Sequence, residues 1–557
     1  MNIHELKLSE DIRRSVKRFA PLMLIAVACL AVYGKTIFFG YVHYDDARLI
    51  LDNQAHFESL RSIGDIFTHN VYFENNRFYY RPLFTATLLI ESKIWGIAPL
   101  PHHAVNVFLH LAMCGAVYML LQLMGYRRSL SLAWSLIFAV HPLFTDAVAW
   151  IPGRNDELLG LFITWSFIFF IRFLRSGNWS EGLLHLMFFT GALFSKETAI
   201  VFPVLCMLYA HRIEKKSVFI RRNASLLAGW VFIVMIFFIL WTRLDRGGYT
   251  AFYQLLMVAG DNLSVIIKYA GAIFFPFHLQ LLPLREDMSF VPGLIATLLS
   301  SLLLWFAPRK DPARIAFGVL WILAFVIPTL IIAKAVYQGH RMYVPMIGMF
   351  IILSELRGYG VRWKGLAQWF PGSATILIIV LASSAFMRNN QYISQVSYWQ
   401  KAAQDSPRHS EVRNRLGLGL LRERGLAGRA EIEFRNAIVF NPDHIPAYRN
   451  LAILYYRERQ YTQTITVLHE AIARSPRDST LYNLMGISYA SMFSFDKALD
   501  CLRTAVRLDP KNQMALKNIS LVTVNRANNR NANTPYRGEK SLTEPSVPQK
   551  VPGGGDS

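Results

Sequence analysis

The chain has 557 residues, of which 53% are hydrophobic, 13% aromatic and only 17% charged, whereas a soluble domain carries about 25% charged residues. With its repeated long apolar runs, this composition excludes an ordinary water-soluble globular protein and points to a membrane. The formal net charge of +21 suits either nucleic acid or basic cytoplasmic loops, and the scattered Cys29, Cys114, Cys206 and Cys501 contain no CxxC pair, so neither a disulfide framework nor a zinc site is indicated.

Residues 1–19 read as a cytoplasmic N-terminus with a basic stretch of Arg13, Arg14, Lys17 and Arg18. The apolar run from about 20 to 42 is too long for a signal-peptide core and lacks a small-x-small exit, so it reads as an uncleaved first span. Further apolar stretches follow at about 104–124, 130–150, 158–174, 182–195, 198–211, 224–243, 261–277, 291–307, 315–333, 342–356 and 373–388. The 261–277 stretch holds Lys268 and ends in FFPFHLQLLP. Taken as re-entrant, it leaves about 11 true spans between 20 and 390 and puts everything after about 390 outside. The inside loops then carry Arg127 and Arg128, Arg172 and Arg175, HRIEKKSVFIRR (211–222), PRKDPAR (308–314) and RGYGVRWKG (357–365), alternating with less basic loops. The positive charge therefore follows topology, and no nucleic-acid partner is expected.

The predicted outside loops collect ionisable groups. The first, 43–103, is long and holds Asp45, Asp46, Glu74, Arg77, YYRPLF (79–84, with Tyr80 and Arg81), His102 and His103. The next, HPLFTDAVAWIPGRNDELLG (141–160), holds His141, Asp146, Arg154, Asp156 and Glu157. LFSKETAIVFP brings Lys196 and Glu197, and YQGHRMYVP (337–345) brings His340 and Arg341. Charged groups at membrane depth cost about 2.5–3.5 kcal/mol each on insertion scales and mark a site or pair with one another. Each has a structural alternative: a loop turn or helix cap for Asp45 and Asp46, a neutralising pair for Lys196 with Glu197, and interfacial anchoring for Arg81 and for His340 with Arg341. Their clustering on one membrane face favours a site that could hold an anionic head group and an acceptor that must lose a proton.

Residues 391–408 read as a connector. In 409–522 the runs RNAIVFNP, HEAIARSP and RTAVRLDP recur with a fixed period: Ala437, Ala471 and Ala505 are 34 residues apart, as are Pro442, Pro476 and Pro510. Gly417, Ala452 and Gly486 supply small residues where two helices cross. This is the tetratricopeptide pattern, with three repeats forming an α-solenoid whose groove suits a polypeptide. The polar segment 523–557 reads as a disordered tail. The fold class is all-α: a polytopic helical bundle with 11–12 hydrophobic segments, then the solenoid.

FGYVHYDDARLILDN, YYRPLFTATLLIES, HHAVNVFLHLAM, FAVHPLFTDAVAWIPGRNDELLGLFI, LFSKETAIVFPVL, HRMYVPMIGMF and the Trp399 segment, in this order, resemble the transmembrane and tetratricopeptide-repeat (TMTC-like) proteins. Those belong with the GT-C superfamily of lipid-phosphate-sugar-dependent glycosyltransferases, which includes the protein O-mannosyltransferases. The resemblance implies a GT-C core open to the non-cytoplasmic side and a polyprenyl- or dolichyl-phosphate monosaccharide, with mannose as the leading sugar, as donor. The family's acidic pair matches Asp45–Asp46, its Arg-Pro-Leu stretch matches Arg81–Pro82–Leu83, and its ERYLYLP-type motif appears as His340-Arg341-Met342-Tyr343-Val344-Pro345, with His340 in the place of an acid. The short array favours a bacterial or archaeal source. The expected location is then a bacterial inner membrane with periplasmic repeats, with the endoplasmic reticulum membrane as the alternative.

On that resemblance, Asp45 accepts a proton from an acceptor hydroxyl, such as a protein Ser or Thr, as it attacks the anomeric carbon with inversion. Arg81, Lys196, Arg341 and, with less weight, Arg154 are the expected cations for the leaving lipid phosphate. Tyr80, Glu197 and His340 support the acceptor. Asp46 orients the acceptor, pairs with a cation, or helps Asp45 hold a divalent cation, which stays open as a cofactor. The repeats present a polypeptide acceptor or protein partner. A non-catalytic membrane adaptor, with the repeats docking a partner, is the alternative; a transporter ranks third, since no inverted repeat is visible.

Overall fold

A computed structural model describes residues 19–531 apart from 59–61, 74–78, 217–223, 245–251, 308–310, 331–336 and 357–369. Glu74, Arg77, the basic N-terminal stretch, parts of three inside loops and the tail beyond 531 lie outside the described residues. Among the described residues all regular structure is helical, in two units, Met1–Ser394 and Gln395–Ser557.

The first unit is an integral multi-pass membrane protein. A helix in water needs one polar face, but Ala224–Thr242 buries only Leu226, Trp230 and Phe237 while Val231, Phe232, Met235, Phe238 and Ile239 point outward. Only lipid tolerates such a surface. Among the described residues seven helices are long and apolar enough to cross a membrane, or eight if the bent pair Arg128–Val140 and Pro142–Val148 counts as one. The remaining expected stretches fold as shorter helices, Trp179–Ser195, Phe202–Arg212, Val291–Trp305 and Pro345–Ser354.

Met257–Phe274 is one of the seven by length. Within this stretch the chain is built from two helices that meet near its middle, Phe252–Asn262 and Ser264–Phe274. Asn262 donates to the Leu330 carbonyl (2.8 Å), and the Ile273 carbonyl meets the His141 ring (3.0 Å). The expected long first loop is itself folded: it contains Gln54–Glu58, Ser62–Ile66 and Pro82–Trp95, the last begun by Pro82 at its first turn. Phe57, Ile66, Phe84 and Leu88 give these helices a small core of their own.

The bundle end that carries the loops is clamped through Asp146. Its carboxylate accepts from Arg388 (2.9 Å), Tyr392 (2.6 Å) and the Gly339 N–H (3.2 Å). One buried acid thus joins the bent pair, the last span and the HRMY loop. At the other end, Arg175 meets Glu214 (2.8 Å) and Tyr126 meets Glu355 (3.0 Å).

The second unit stacks three antiparallel helix pairs: Ser410–Arg422 with Ala427–Phe440, Ile445–Arg457 with Tyr461–Arg474, and Ser479–Ser491 with Phe495–Leu508. Ala437, Ala471 and Ala505 are fully buried at the crossings. Buried asparagines pin neighbouring pairs, Asn450 to Asn414 (2.8 Å) and Asn518 to Asn483 (3.0 Å). The segment read as a connector holds the helix Gln395–Asp405. The closing helix runs from Gln513 to Asn531, past the end expected at 522. Val522 and Ile519 give it an apolar stripe on Leu499 and Leu502, and one such stripe suffices for a helix whose other faces are polar.

A Cβ at position 417 would stand 2.6 Å from the Phe434 ring. Gly417→Leu should therefore cost the solenoid about 1–3 kcal/mol through overpacking. Thermal melting of the intact protein followed by circular dichroism will reveal it as an earlier helix-loss transition.

Candidate functional site

The two adjacent acids of the first loop have different surroundings. Asp46 is 1% exposed and its carboxylate accepts three backbone N–H groups, from Val42 (2.7 Å), Tyr44 (2.8 Å) and Ala47 (3.1 Å). Burial pushes its carboxyl up and the three donors pull against this. Asp46 is therefore a loop staple, which corrects its expected place beside the reaction. Asp45 is half-buried and lies near Tyr72, whose phenol is pushed well up, first by burial and then by this carboxylate. The loop is tightly wound: His43 has φ 52° and Ala47–Leu51 is a π-helical turn, a conformation found frequently at functional sites.

Lys196 and Glu197 are not paired with each other. Lys196 is extended (φ −158°, ψ 131°), so successive side chains diverge. Lys196 Nζ donates to both Asp156 oxygens (2.7 and 2.8 Å). Glu197 receives Arg81 in a two-pronged pair, Nε to Oε2 at 3.0 Å and Nη2 to Oε1 at 2.8 Å. Glu197 is half-exposed: 46% of its side chain is reached by solvent. Burial would raise its carboxyl, but the Arg81 guanidinium outweighs this and holds it at about 2. Burial lowers Lys196, opposed chiefly by Asp156.

His340 brings the fourth loop in. Its Nε2 is 4.0 Å from Asp156, and its ring centroid is 5.6 Å from that of Trp150. Trp150 in turn stacks on Tyr44 (5.9 Å, 16°), the residue before Asp45. Burial drives His340 down to about 4 despite Asp156, so the imidazole is neutral near pH 7. Arg341, its neighbour, reaches the Thr329 carbonyl at 3.5 Å. Asp45, Arg81, Lys196, Glu197, His340 and Arg341 are thus brought to one end of the bundle.

Two expected residues are not in this cluster. Arg154 is fully buried and its N–H groups go to Asn106 (2.8 Å), Thr87 (3.1 Å), Glu91 (2.5 and 3.0 Å) and the His102 carbonyl (2.7 Å). It ties three helices together and has no donor left for a phosphate. Tyr80 is 2% exposed and donates to the Phe67 carbonyl (3.1 Å); the chain turns at Tyr79, which is the exposed ring. Reading the sequence also missed Asp156 as the partner of Lys196 and the stacked pair Tyr44–Trp150. The position of Tyr44 next to Asp45 was the one signal for that pair. Among the described residues no group of three or more His, Cys, Asp or Glu stands ready for a metal. With Asp46 turned to backbone N–H groups, the acidic pair offers a cation one carboxylate.

The Arg81–Glu197 pair predicts a pH signature. A carboxyl lowered from its ordinary 4.5 to about 2 stabilises the fold above pH 4.5 and loses that contribution as pH falls toward 2. In Arg81→Met burial, the largest influence on this carboxyl, is opposed only by a backbone hydrogen bond and by Lys196, so most of the lowering is lost. The melting-temperature gap between wild type and Arg81→Met should be widest above pH 5 and shrink on acidification; a gap that is flat with pH would contradict the pairing.

No family model matches the chain. The human "Protein O-mannosyl-transferase TMTC1" is 32% identical over 206 residues, covering 34% of this chain and 23% of that protein. The Caenorhabditis elegans "Protein O-mannosyl-transferase F38B6.6" is 23% identical over 431 residues, covering 72% of this chain and 60% of that protein. Among solved structures, ArnT from Cupriavidus metallidurans in the apo state aligns at 16% identity over 83% of this chain and 78% of that one, with a TM-score of 0.42. The chain spans less than a quarter of the human relative it matches.

Proposed function

From a chain that is TMTC-like in sequence, we propose a membrane glycosyltransferase that moves a monosaccharide from a polyprenyl- or dolichyl-phosphate to a hydroxyl acceptor. The observation that carries this is the convergence of Arg81, Lys196 and Arg341 beside the Asp45 loop at one end of a lipid-embedded bundle. Three cations stand there with the carboxylates Glu197, Asp156 and Asp45, so an anionic phosphate is drawn to the cations locally and not by a net charge. Glu197 occupies Nε and Nη2 of Arg81, which leaves Nη1 for the phosphate.

The acceptor hydroxyl gives its proton to Asp45 as its oxygen attacks the anomeric carbon. The bond from that carbon to the phosphate oxygen breaks, and the lipid phosphate leaves with the electron pair. Its growing charge meets Arg81 and Lys196, already held by their acids, and Arg341, which reaches the Thr329 carbonyl, so little reorganisation is needed. A single displacement inverts the anomeric centre. The relatives are named protein O-mannosyl-transferases, which supports mannose as the sugar and a protein hydroxyl, of Ser or Thr, as the acceptor. The tetratricopeptide unit would raise the local concentration of a polypeptide acceptor. A bacterial inner membrane with the site facing the periplasm suits the charge distribution of the loops.

Asp45→Asn should leave folding and insertion intact and abolish sugar transfer from a lipid-linked donor in detergent or proteoliposomes. Asp46→Asn should instead lower the melting temperature, because an amide cannot accept all three N–H groups. Full transfer by Asp45→Asn would remove that carboxylate from the mechanism.

A further inference from the structure

Tyr79 is an unusual residue in this loop. Its φ is 60°, the left-handed region that a bulky aromatic residue rarely adopts. The conformation is fixed by the Val71 N–H donating to the Tyr79 carbonyl (3.2 Å) and by the Arg81–Glu197 pair two residues on. Glycine would occupy this turn without strain, so the sequence maintains a large ring at a position that disfavours it. The ring is not there to fill a core: it is 40% exposed, whereas the following Tyr80 is buried. Backbone strain of this kind persists where the surrounding structure enforces it and clusters at functional sites.

The surroundings say what the ring faces. The Arg81 guanidinium carbon lies 4.9 Å from the Tyr79 centroid, and Tyr72 meets Tyr79 edge-on at 6.0 Å and 86°. Tyr72 carries the Arg48 guanidinium at 4.3 Å on its own ring and is the neighbour of Asp45. The two tyrosines therefore form a wall that runs from the acid proposed to take the acceptor proton to the cation proposed to hold the phosphate. In a single displacement the anomeric carbon must lie between those two groups. A pyranose has an apolar C–H face and fits an aromatic ring held beside its path.

We infer that Tyr79, backed by Tyr72, is a sugar-binding platform: its exposed ring stacks on the hexose of the lipid-phosphate donor. This rests on the glycosyltransferase reading for the identity of the donor, but it is tested by binding alone. The purified full-length protein is titrated with a polyprenyl-phosphate hexose and with the same polyprenyl phosphate lacking the sugar. Tyr79→Gly should weaken binding of the sugar-bearing lipid by about tenfold, the scale of one lost aromatic contact, and leave the bare lipid phosphate unchanged. It should melt at or above the wild-type temperature because the turn is relieved, and Tyr79→Phe should bind as wild type. The inference is overturned if wild type does not prefer the sugar-bearing lipid, if Tyr79→Gly binds it normally, if it loses both lipids equally, or if its melting temperature falls along with binding. A wild-type protein that shows this preference but transfers no sugar would remove the glycosyltransferase reading and leave the platform standing.

Discussion

The constraint on which the loop end of the membrane unit depends is that Lys196, Glu197 and Asp146 are each neutralised by a partner distant in sequence. Lys196 and Glu197 are neighbours in sequence, yet the extended backbone sends one to Asp156 and the other to Arg81. That crossed pairing joins the first outside loop, the turn at 150–160 and the turn at 196–201 at one point. A single in-place pair between the two neighbours would have satisfied both charges and joined nothing. Removing one partner of a buried pair strands the other charge at a cost of about 3–5 kcal/mol, so each bridge also locks its loops.

The same logic is repeated with other residues. Asp146 binds the last span through Arg388 and Tyr392 and the HRMY loop through the Gly339 N–H. Glu91 and Arg154 tie the helices that frame the first loop. These bridges do not need a substrate. They brace the rim, and in the proposed reaction that bracing would hold Arg81 and Lys196 already oriented toward a phosphate. The sequence groups all of them as outside-loop charges, but the described structure divides them into those that only brace and those proposed to meet the phosphate.

That division was the part that sequence could not supply. Apolar runs located the helices, and the 34-residue period of Ala437, Ala471 and Ala505 located the solenoid, because burial imposes periodicity and periodicity survives in one dimension. Which of Arg81 and Arg154 is half-satisfied and which is wholly enclosed depends on contacts between residues dozens to over a hundred positions apart. Nothing local to Arg154 announces Asn106, Glu91 and His102 as its partners. The step from Tyr80 to Tyr79 is a similar case. A turn at φ 60° exchanges the buried and exposed faces of two identical residues, and a pattern of residue types cannot register that exchange. The continuation of the helix Gln513–Asn531 past 522 was missed for the opposite reason: the segment beyond Val522 is rich in asparagines, and composition outweighed period.

The doublet Asp45–Asp46 gives the clearest view of how bracing and chemistry are combined. Two adjacent carboxylates both pointing into one site would repel each other and share a raised pKa. Here Asp46 turns back into three N–H groups of its own loop, which spreads its charge over donors that cost no counter-ion. The turn it closes fixes Tyr44 against Trp150 on one side and Asp45 near Tyr72 on the other. The second acid is therefore the reason the first has a defined position. A catalytic base gains from a fixed direction as much as from its pKa, and a loop at a membrane surface has few other means of obtaining one. In the proposed mechanism, pairing a reacting acid with an acid that folds the loop would solve the orientation problem within the five residues from Val42 to Asp46.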